Sequence, residues 1–234
     1  MALSLSPSTA TIEDFNLVVI SGSIPDSFVN FFIAFNSLSI CFSSLWVNIH
    51  GHKVEKINSA IKNQIDKVAH STLLGVTNPS ASLLAKKLID ICPSGLGKVF
   101  YSGDGASAVE AALKMAFQYW LLKNKPEKNK FICLRDGYHG DTLGAVSVGG
   151  IELFHSTFKP LLFDSFKISS YDSSDKTIYE LESLLDKNSN EIAALIIEPY
   201  VQAAGGIKVA NEGYLVKIRE LCDKFNVLFK EKFG

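Results

Sequence analysis

The chain has 234 residues, 47% of them hydrophobic and 20% charged, with a formal net charge of −1. That composition is globular, and the length suits one large domain or two small ones. A near-neutral balance excludes the broad electrostatic pull that draws proteins to nucleic acid or anionic lipid.

Residues 1–42 read as a divergent amino-terminal segment. Its only acidic or basic side chains are Glu13, Asp14 and Asp26. The uncharged run SFVNFFIAFNSLSICFSSLW (27–46) has the length of a membrane span. Its Asn and Ser residues, and the lack of Lys or Arg on its amino side, argue against a span, which stands as the alternative. No early positive charge marks a signal peptide.

From Lys53 the pattern becomes regular. Val54, Ile57, Ile61, Ile65 and Val68 recur at steps of three and four, which predicts an amphipathic helix over 53–69. A second helix is predicted over 80–92, capped by Ser80 and stopped by Pro93. KVFYS (98–102) reads as a strand, followed by a long helix that starts in the glycines of GDGASAVEAALKMAFQYWLLK. The Lys-rich stretch 121–130 reads as a solvated loop. KFICL (130–134) is the next strand, and TLGAVSV begins a helix that Asp141 could cap. AALIIEP (193–199) is a strand ended by Pro199. The glycine loop 201–210 follows, then a helix over 211–226 and a strand at 227–229.

Strands alternating with helices predict an α/β fold with a mostly parallel sheet. Near-continuous apolar strands predict helices on both faces, a three-layer αβα arrangement. Ligands in such sheets sit at the carboxyl ends of the strands. Three polar loops are predicted at that edge: SGDGAS, RDGYHGD and EPYVQAAGG. Their convergence on one site is the central expectation.

Cys41, Cys92, Cys133 and Cys222 are widely spaced, with no C-x-x-C pair. They read as free thiols in a reducing, cytoplasmic setting, with no disulfide framework and no metal site. His50 and His52 flank Gly51 and read as a turn, since a third ligand is absent nearby.

The glycines of GDGASA let backbone approach a ligand, and the first turn of the following helix offers N–H donors to an anion such as phosphate. A tight turn without a ligand is the plain alternative. The same residues match the relaxed dinucleotide pattern G-x-G-x-x-A, with Asp136 as the acid, which leaves a Rossmann-type oxidoreductase as a rival. Tyr138 can lay its ring on a flat heteroaromatic ligand. His139 could act as a base, but packing of the loop is the favoured role.

The stretches SLWVNIHGH, VAHSTLLG, KVFYSGDGASAVEAALKMAFQYW, YHGDTLGAVSVGGIELFHSTFKPLLF and IIEPYVQAAGG occur in an order that resembles the class III pyridoxal-phosphate aminotransferases. Residues 43–234 then correspond to part of a fold type I large domain. The resemblance is narrowest to the branch that aminates 8-amino-7-oxononanoate with S-adenosylmethionine in biotin synthesis. It implies pyridoxal 5'-phosphate as cofactor and a homodimer. The cofactor phosphate would be held by backbone at Gly105 and Ala106, and Tyr138 would stack on the ring and line the substrate pocket. Trp46 would pack against substrate, and Glu198 would support the site from behind. His139 and Asp141 would shape the loop. Family members often carry Ser where this chain has Ala106, which removes a side-chain hydrogen bond of about 0.5–1.5 kcal/mol.

After the strand at 226–229 the family carries an aspartate for the pyridinium and, further on, the lysine that bonds the cofactor. Here the residues read KEKFG, and Lys208, Lys224 and Lys230 do not match that lysine. The catalytic residue is therefore unassigned. The expectation is a truncated or frame-shifted chain with about half of the family's enzyme, inactive alone and with an open sheet edge. A non-catalytic remnant or interaction subunit on the same fold is the alternative.

Overall fold

A computed structural model describes residues 49–92, 96–171 and 174–231. Trp46 and the uncharged run 27–46 lie outside the described residues. The chain divides into two compact units, Met1–Asp90 and Ile91–Gly234.

In the first unit, α1 spans Glu55–Lys67 and α2 spans Pro79–Ile91. Ser80 does not cap α2. Asn78 does, its Oδ1 accepting from the Ala81 N–H at 2.9 Å. Pro79 then takes the first helical position, where a missing N–H costs nothing. Neither helix buries a residue, and the apolar stripe Ile57, Ile61 and Ile65 of α1 is exposed. Gly51, at φ +77°, makes the turn between His50 and His52.

The second unit contains α3 (Gly105–Leu122), β1 (Lys130–Leu134), α4 (Leu143–Ser147), α5 (Glu152–His155) and a 3-10 turn over Ser156–Leu161. It continues with β2 (Phe166–Ile168), α6 (Ser174–Asn188), β3 (Ile192–Ile197), β4 (Val201–Gln202), β5 (Lys208–Val209), α7 (Tyr214–Lys224) and β6 (Leu228–Glu231). The main sheet has the order β2-β1-β3-β6, and every pairing in it is parallel. The strands β4 and β5 form a small antiparallel ribbon.

Alternation along the strands sorts the core into two layers. Ile132, Leu134, Leu195 and Ile197 face Leu181 and Leu185 of α6 and Ile218 and Cys222 of α7. Phe131, Cys133 and Ile196 face Val109, Leu113, Ala116 and Trp120 of α3. The expected three-layer α/β fold is therefore present. A bulge opposite Lys130 and Phe131 puts Ala193 and Ala194 together on the α3 face. There the Trp120 indole N–H donates to the Ala193 carbonyl at 2.8 Å.

Two sequence expectations need correction. KVFYS (98–102) is not a strand: no strand among the described residues pairs with it, and Phe100 is 66% exposed. An apolar extended run becomes a strand only when a neighbour completes its hydrogen bonds. Within the Lys-rich stretch 121–130, Lys128 is not solvated: it is 4% exposed. Its ammonium donates to the carbonyls of Ser189, Ile192 and Asn226 and lies 4.5 Å from the centre of the Trp120 ring.

Cys133 and Cys222 are buried as free thiols and Cys92 is exposed. No helix among the described residues is long and apolar enough to cross a membrane.

Candidate active site

The chain leaves β1 toward β2 on one side and returns through β3 on the other, so the loops at the carboxyl ends of β1 and β3 diverge. The edge between two such strands is the usual ligand position in an open parallel sheet.

The β1 loop carries Arg135–Asp141 and is held at several points. Asp136 adopts φ +59°, a left-handed conformation that Asp tolerates. Its carboxylate takes a 2.7 Å ion pair from Lys208 of β5 and a hydrogen bond from Ser170, which follows β2. Gly137 accepts at its carbonyl from the Gly150 N–H at 2.8 Å. Fully buried Gln202 donates to the Arg135 carbonyl and accepts from the Tyr171 N–H.

Tyr138 follows. Its backbone N–H donates to Glu198 Oε2 at 2.9 Å, and Glu198 Oε1 accepts from the Ala203 N–H at 3.2 Å. Glu198 thus ties the β1 loop to the glycine loop. Its own carbonyl accepts from the Tyr171 hydroxyl. The Tyr138 hydroxyl donates to Asp141 Oδ2 at 2.7 Å. Burial first, and then that hydrogen bond, push the phenol up to about 12, so the ring is neutral at physiological pH. The rings of Tyr138 and His155 run nearly parallel, at 16° with centroids 6.4 Å apart. His155 backs one side of the tyrosine, and burial lowers its pKa.

Asp141 therefore does not cap the following helix. Thr142 stands at the start of α4 with no side-chain capping bond. Its place is taken from α3: Glu110 Oε1 accepts the Gly144 N–H at 2.7 Å. His139 is buried beneath the loop, with Nε2 3.4 Å from where a Cβ on Gly137 would stand.

The GDGASA turn joins this cluster from the other direction. Gly140 has φ +119°, and a Cβ built on it would fall 2.4 Å from the Ala106 Cβ and 2.9 Å from its Cα. The β1 loop thus rests directly on the first turn of α3. Gly140 thus seats the RDGYHGD loop on the SGDGAS turn, and Glu198 joins it to the EPYVQAAGG loop, although only two of the three leave strand ends. Ala106 therefore lies against the loop that carries Tyr138. The dinucleotide pattern G-x-G-x-x-A needs a strand before its first glycine, and none stands there among the described residues. Asp136, its proposed acid, is engaged by Lys208.

Asp104 stands at the start of α3. Its Oδ1 accepts from the Ser107 N–H at 2.7 Å and its Oδ2 from the Ser107 hydroxyl at 2.8 Å. Ser107, the neighbour of Ala106, therefore spends its hydroxyl on the cap.

Sequence reasoning missed Glu110, Gln202, Lys208 and His155. Glu110 sits three residues past Ser107 on one helix face, and Lys208 is the sole charge in its ribbon, two signals a closer reading could use. Gln202 and His155 carry no such signal. Among the described residues there is no cluster of three or more His, Cys, Asp or Glu that could hold a metal.

Glu198→Ala is expected to destabilise the unit by about 1–3 kcal/mol, because it strands the N–H groups of Tyr138 and Ala203. Urea unfolding measures the loss, and Glu198→Gln is expected to keep part of it, since one amide oxygen still accepts.

The fold agrees with known proteins. The chain is 48% identical over 199 residues to the adenosylmethionine-8-amino-7-oxononanoate aminotransferase of Geobacter sulfurreducens, across 80% of this chain and 44% of that relative. The crystal structure of the enzyme of that name from Methanocaldococcus jannaschii superposes with a TM-score of 0.78 at 46% identity, over 82% of this chain and 43% of that one. An amine transaminase from an uncultivated Pseudomonas species, in a PLP-bound form, superposes with a TM-score of 0.72 at 33% identity, over 78% of this chain and 44% of that one. The chain thus spans less than half the length of these relatives. The family model described as aminotransferase class-III matches residues 38–230, and this places the chain in the class III aminotransferase family.

Proposed function

We propose that this chain supplies the phosphate-anchoring and ring-stacking half of a pyridoxal 5'-phosphate site. The proposed reaction is the amination of 8-amino-7-oxononanoate with S-adenosylmethionine as donor, a step of biotin synthesis. The single observation that supports the reading is the seating of Gly140 on Ala106, which joins the loop of Tyr138 to the start of α3. Relatives that bear the name of that reaction support the substrates. A cytoplasmic homodimer and a substrate contact at Trp46 belong to the same proposal.

The residues present fit the cofactor. The contact surface at Gly140 has no room for a Cβ, so backbone lies close around the start of α3. First-turn N–H groups and the helix dipole favour a phosphate at such a helix start. When bound, pyridoxal phosphate supplies an electron sink that lets an amino group move between two substrates. The chain's own work is to bind and orient. The N–H groups at Gly105 and Ala106 take the phosphate. Tyr138 offers one ring face while His155 backs it, and Asp141 holds its hydroxyl. Glu198 fixes the tyrosine backbone, and the Asp136–Lys208–Ser170 cluster fixes the residue before the Gly137 turn.

Titration with pyridoxal phosphate, followed by absorbance, tests the reading. Saturable binding that is weaker for pyridoxal, which has no phosphate, is the expected result. Tyr138→Ala is expected to weaken it by about 5- to 10-fold, the worth of one aromatic stack. Equal affinity for both aldehydes removes the phosphate assignment, and unchanged affinity in Tyr138→Ala removes the stacking one. Calorimetry with 8-amino-7-oxononanoate on the cofactor-loaded chain tests the substrate, and absence of heat counts against it.

A further inference from the structure

The start of α3 already holds an anion of the chain's own. Both carboxylate oxygens of Asp104 are bound to Ser107, one to its N–H at 2.7 Å and one to its hydroxyl at 2.8 Å. Asp104 itself is exposed, so its charge is not cancelled by burial against a cation. The two bonds from Ser107, with the backbone one first, hold the carboxyl below the usual aspartate range, so it is ionised at neutral pH.

An ionised carboxylate at this point has two consequences for a phosphate that comes to the same turn. It withdraws the Ser107 N–H and hydroxyl from the set of donors, and Ala106 has no hydroxyl to replace them. It also adds a like charge beside the ligand, which weakens binding of a second anion.

We propose that Asp104 is an internal competitor at the phosphate cradle: its ionised side chain, held on Ser107 at the start of α3, sets a low affinity for a phosphorylated ligand by its like charge. This rests on the phosphate assignment above. The determinant is specific to the charge of the ligand and not to its ring.

The test compares wild type with Asp104→Asn. Asparagine caps a helix about as well as aspartate, so α3 keeps its start and only the charge is lost. Pyridoxal phosphate is expected to bind Asp104→Asn roughly 5-fold tighter or more, and pyridoxal to bind both proteins equally. Inorganic phosphate, measured as a competitor of pyridoxal phosphate, is expected to gain by the same factor. Asp104→Ser, a second good cap, is expected to repeat the gain, and it decides the matter should the Asn variant fold poorly by circular dichroism. Equal or weaker pyridoxal phosphate binding in folded variants overturns the proposal. An equal gain for pyridoxal also overturns it, since the effect would then not act on the phosphate. If wild type and variants all bind pyridoxal phosphate no better than pyridoxal, it is the phosphate assignment itself that fails.

Discussion

Gly140→Val is expected to abolish saturable pyridoxal phosphate binding and to destabilise the α/β unit by about 3 kcal/mol or more. Two independent costs add at this position. The backbone there has φ +119°, which an L side chain rarely adopts. A Cβ would also fall 2.4 Å from the Ala106 Cβ and 2.9 Å from its Cα, and the Cα is backbone that cannot rotate away. Either the β1 loop lifts off α3 or the first turn of α3 shifts, and both movements separate the helix start from Tyr138. Gly103→Ala is the matched control in the same glycine motif. Nothing lies within 4 Å of its Cβ position and its φ lies outside the left-handed range, so a change under about 0.5 kcal/mol is expected. Urea unfolding and cofactor titration on both variants check the contrast. Equal behaviour of the two would mean that the loop and the helix start are not one unit.

The contrast between these glycines shows what the sequence could and could not tell. GDGASA reads as a ligand turn from its composition, yet composition does not rank its glycines against those of RDGYHGD. The most constrained one is in the second motif, because the constraint is a tertiary contact. The long helix after Asp104 and the strands at β1, β3 and β6 were legible because apolar runs and periodicity are local. The missed elements have different causes. The strand β2 is three residues long and its apolar pattern is too short to register. The helix α6 did carry a signal in Ile178, Leu181, Leu184 and Leu185, a spacing that places Leu181 and Leu185 in the core. KVFYS failed the other way: its strand pattern is good, but pattern alone does not provide a neighbour to pair with.

The site shows the same division. Tyr138 and Glu198 stood out as polar residues at the ends of apolar strands. Nothing local announces that Glu198 bridges Tyr138 to Ala203, or that Lys208 reaches Asp136 across 72 positions. Those links exist only once the loops after β1, β2 and β3 share an edge. Asp141 shows the hazard of a local rule: it stands where a helix cap belongs, but the Tyr138 hydroxyl is the nearer partner and takes the carboxylate.

Lys128→Met is expected to destabilise the unit by about 2–4 kcal/mol, the other large effect, although charge patterning places this residue in a solvated loop. The ammonium joins three backbone carbonyls: Ser189 beyond α6, Ile192 at the start of β3 and Asn226 before β6. These are the points at which two helices turn back into the sheet, so one side chain closes two crossovers. Methionine fills the same volume over the Trp120 ring but donates nothing, which leaves the buried Ile192 carbonyl and the half-buried Ser189 and Asn226 bonds without this donor. Burial also pushes the Lys128 ammonium below the ordinary lysine range, with the Lys125 charge adding to the effect and Glu127 opposing it. The sign follows from proton counting. Between the lowered folded value and the ordinary one, the unfolded chain binds more protons, so wild-type stability rises with pH across that window. Lys128→Met lacks this rise. Lys123→Met is the control, since Lys123 is exposed and its contact over the Tyr119 ring is worth about 0.5–1 kcal/mol. Urea midpoints for the two variants, at pH 7 and again near pH 10, decide the case, and a loss no greater than that of Lys123→Met would show that the three carbonyls do not depend on this ammonium.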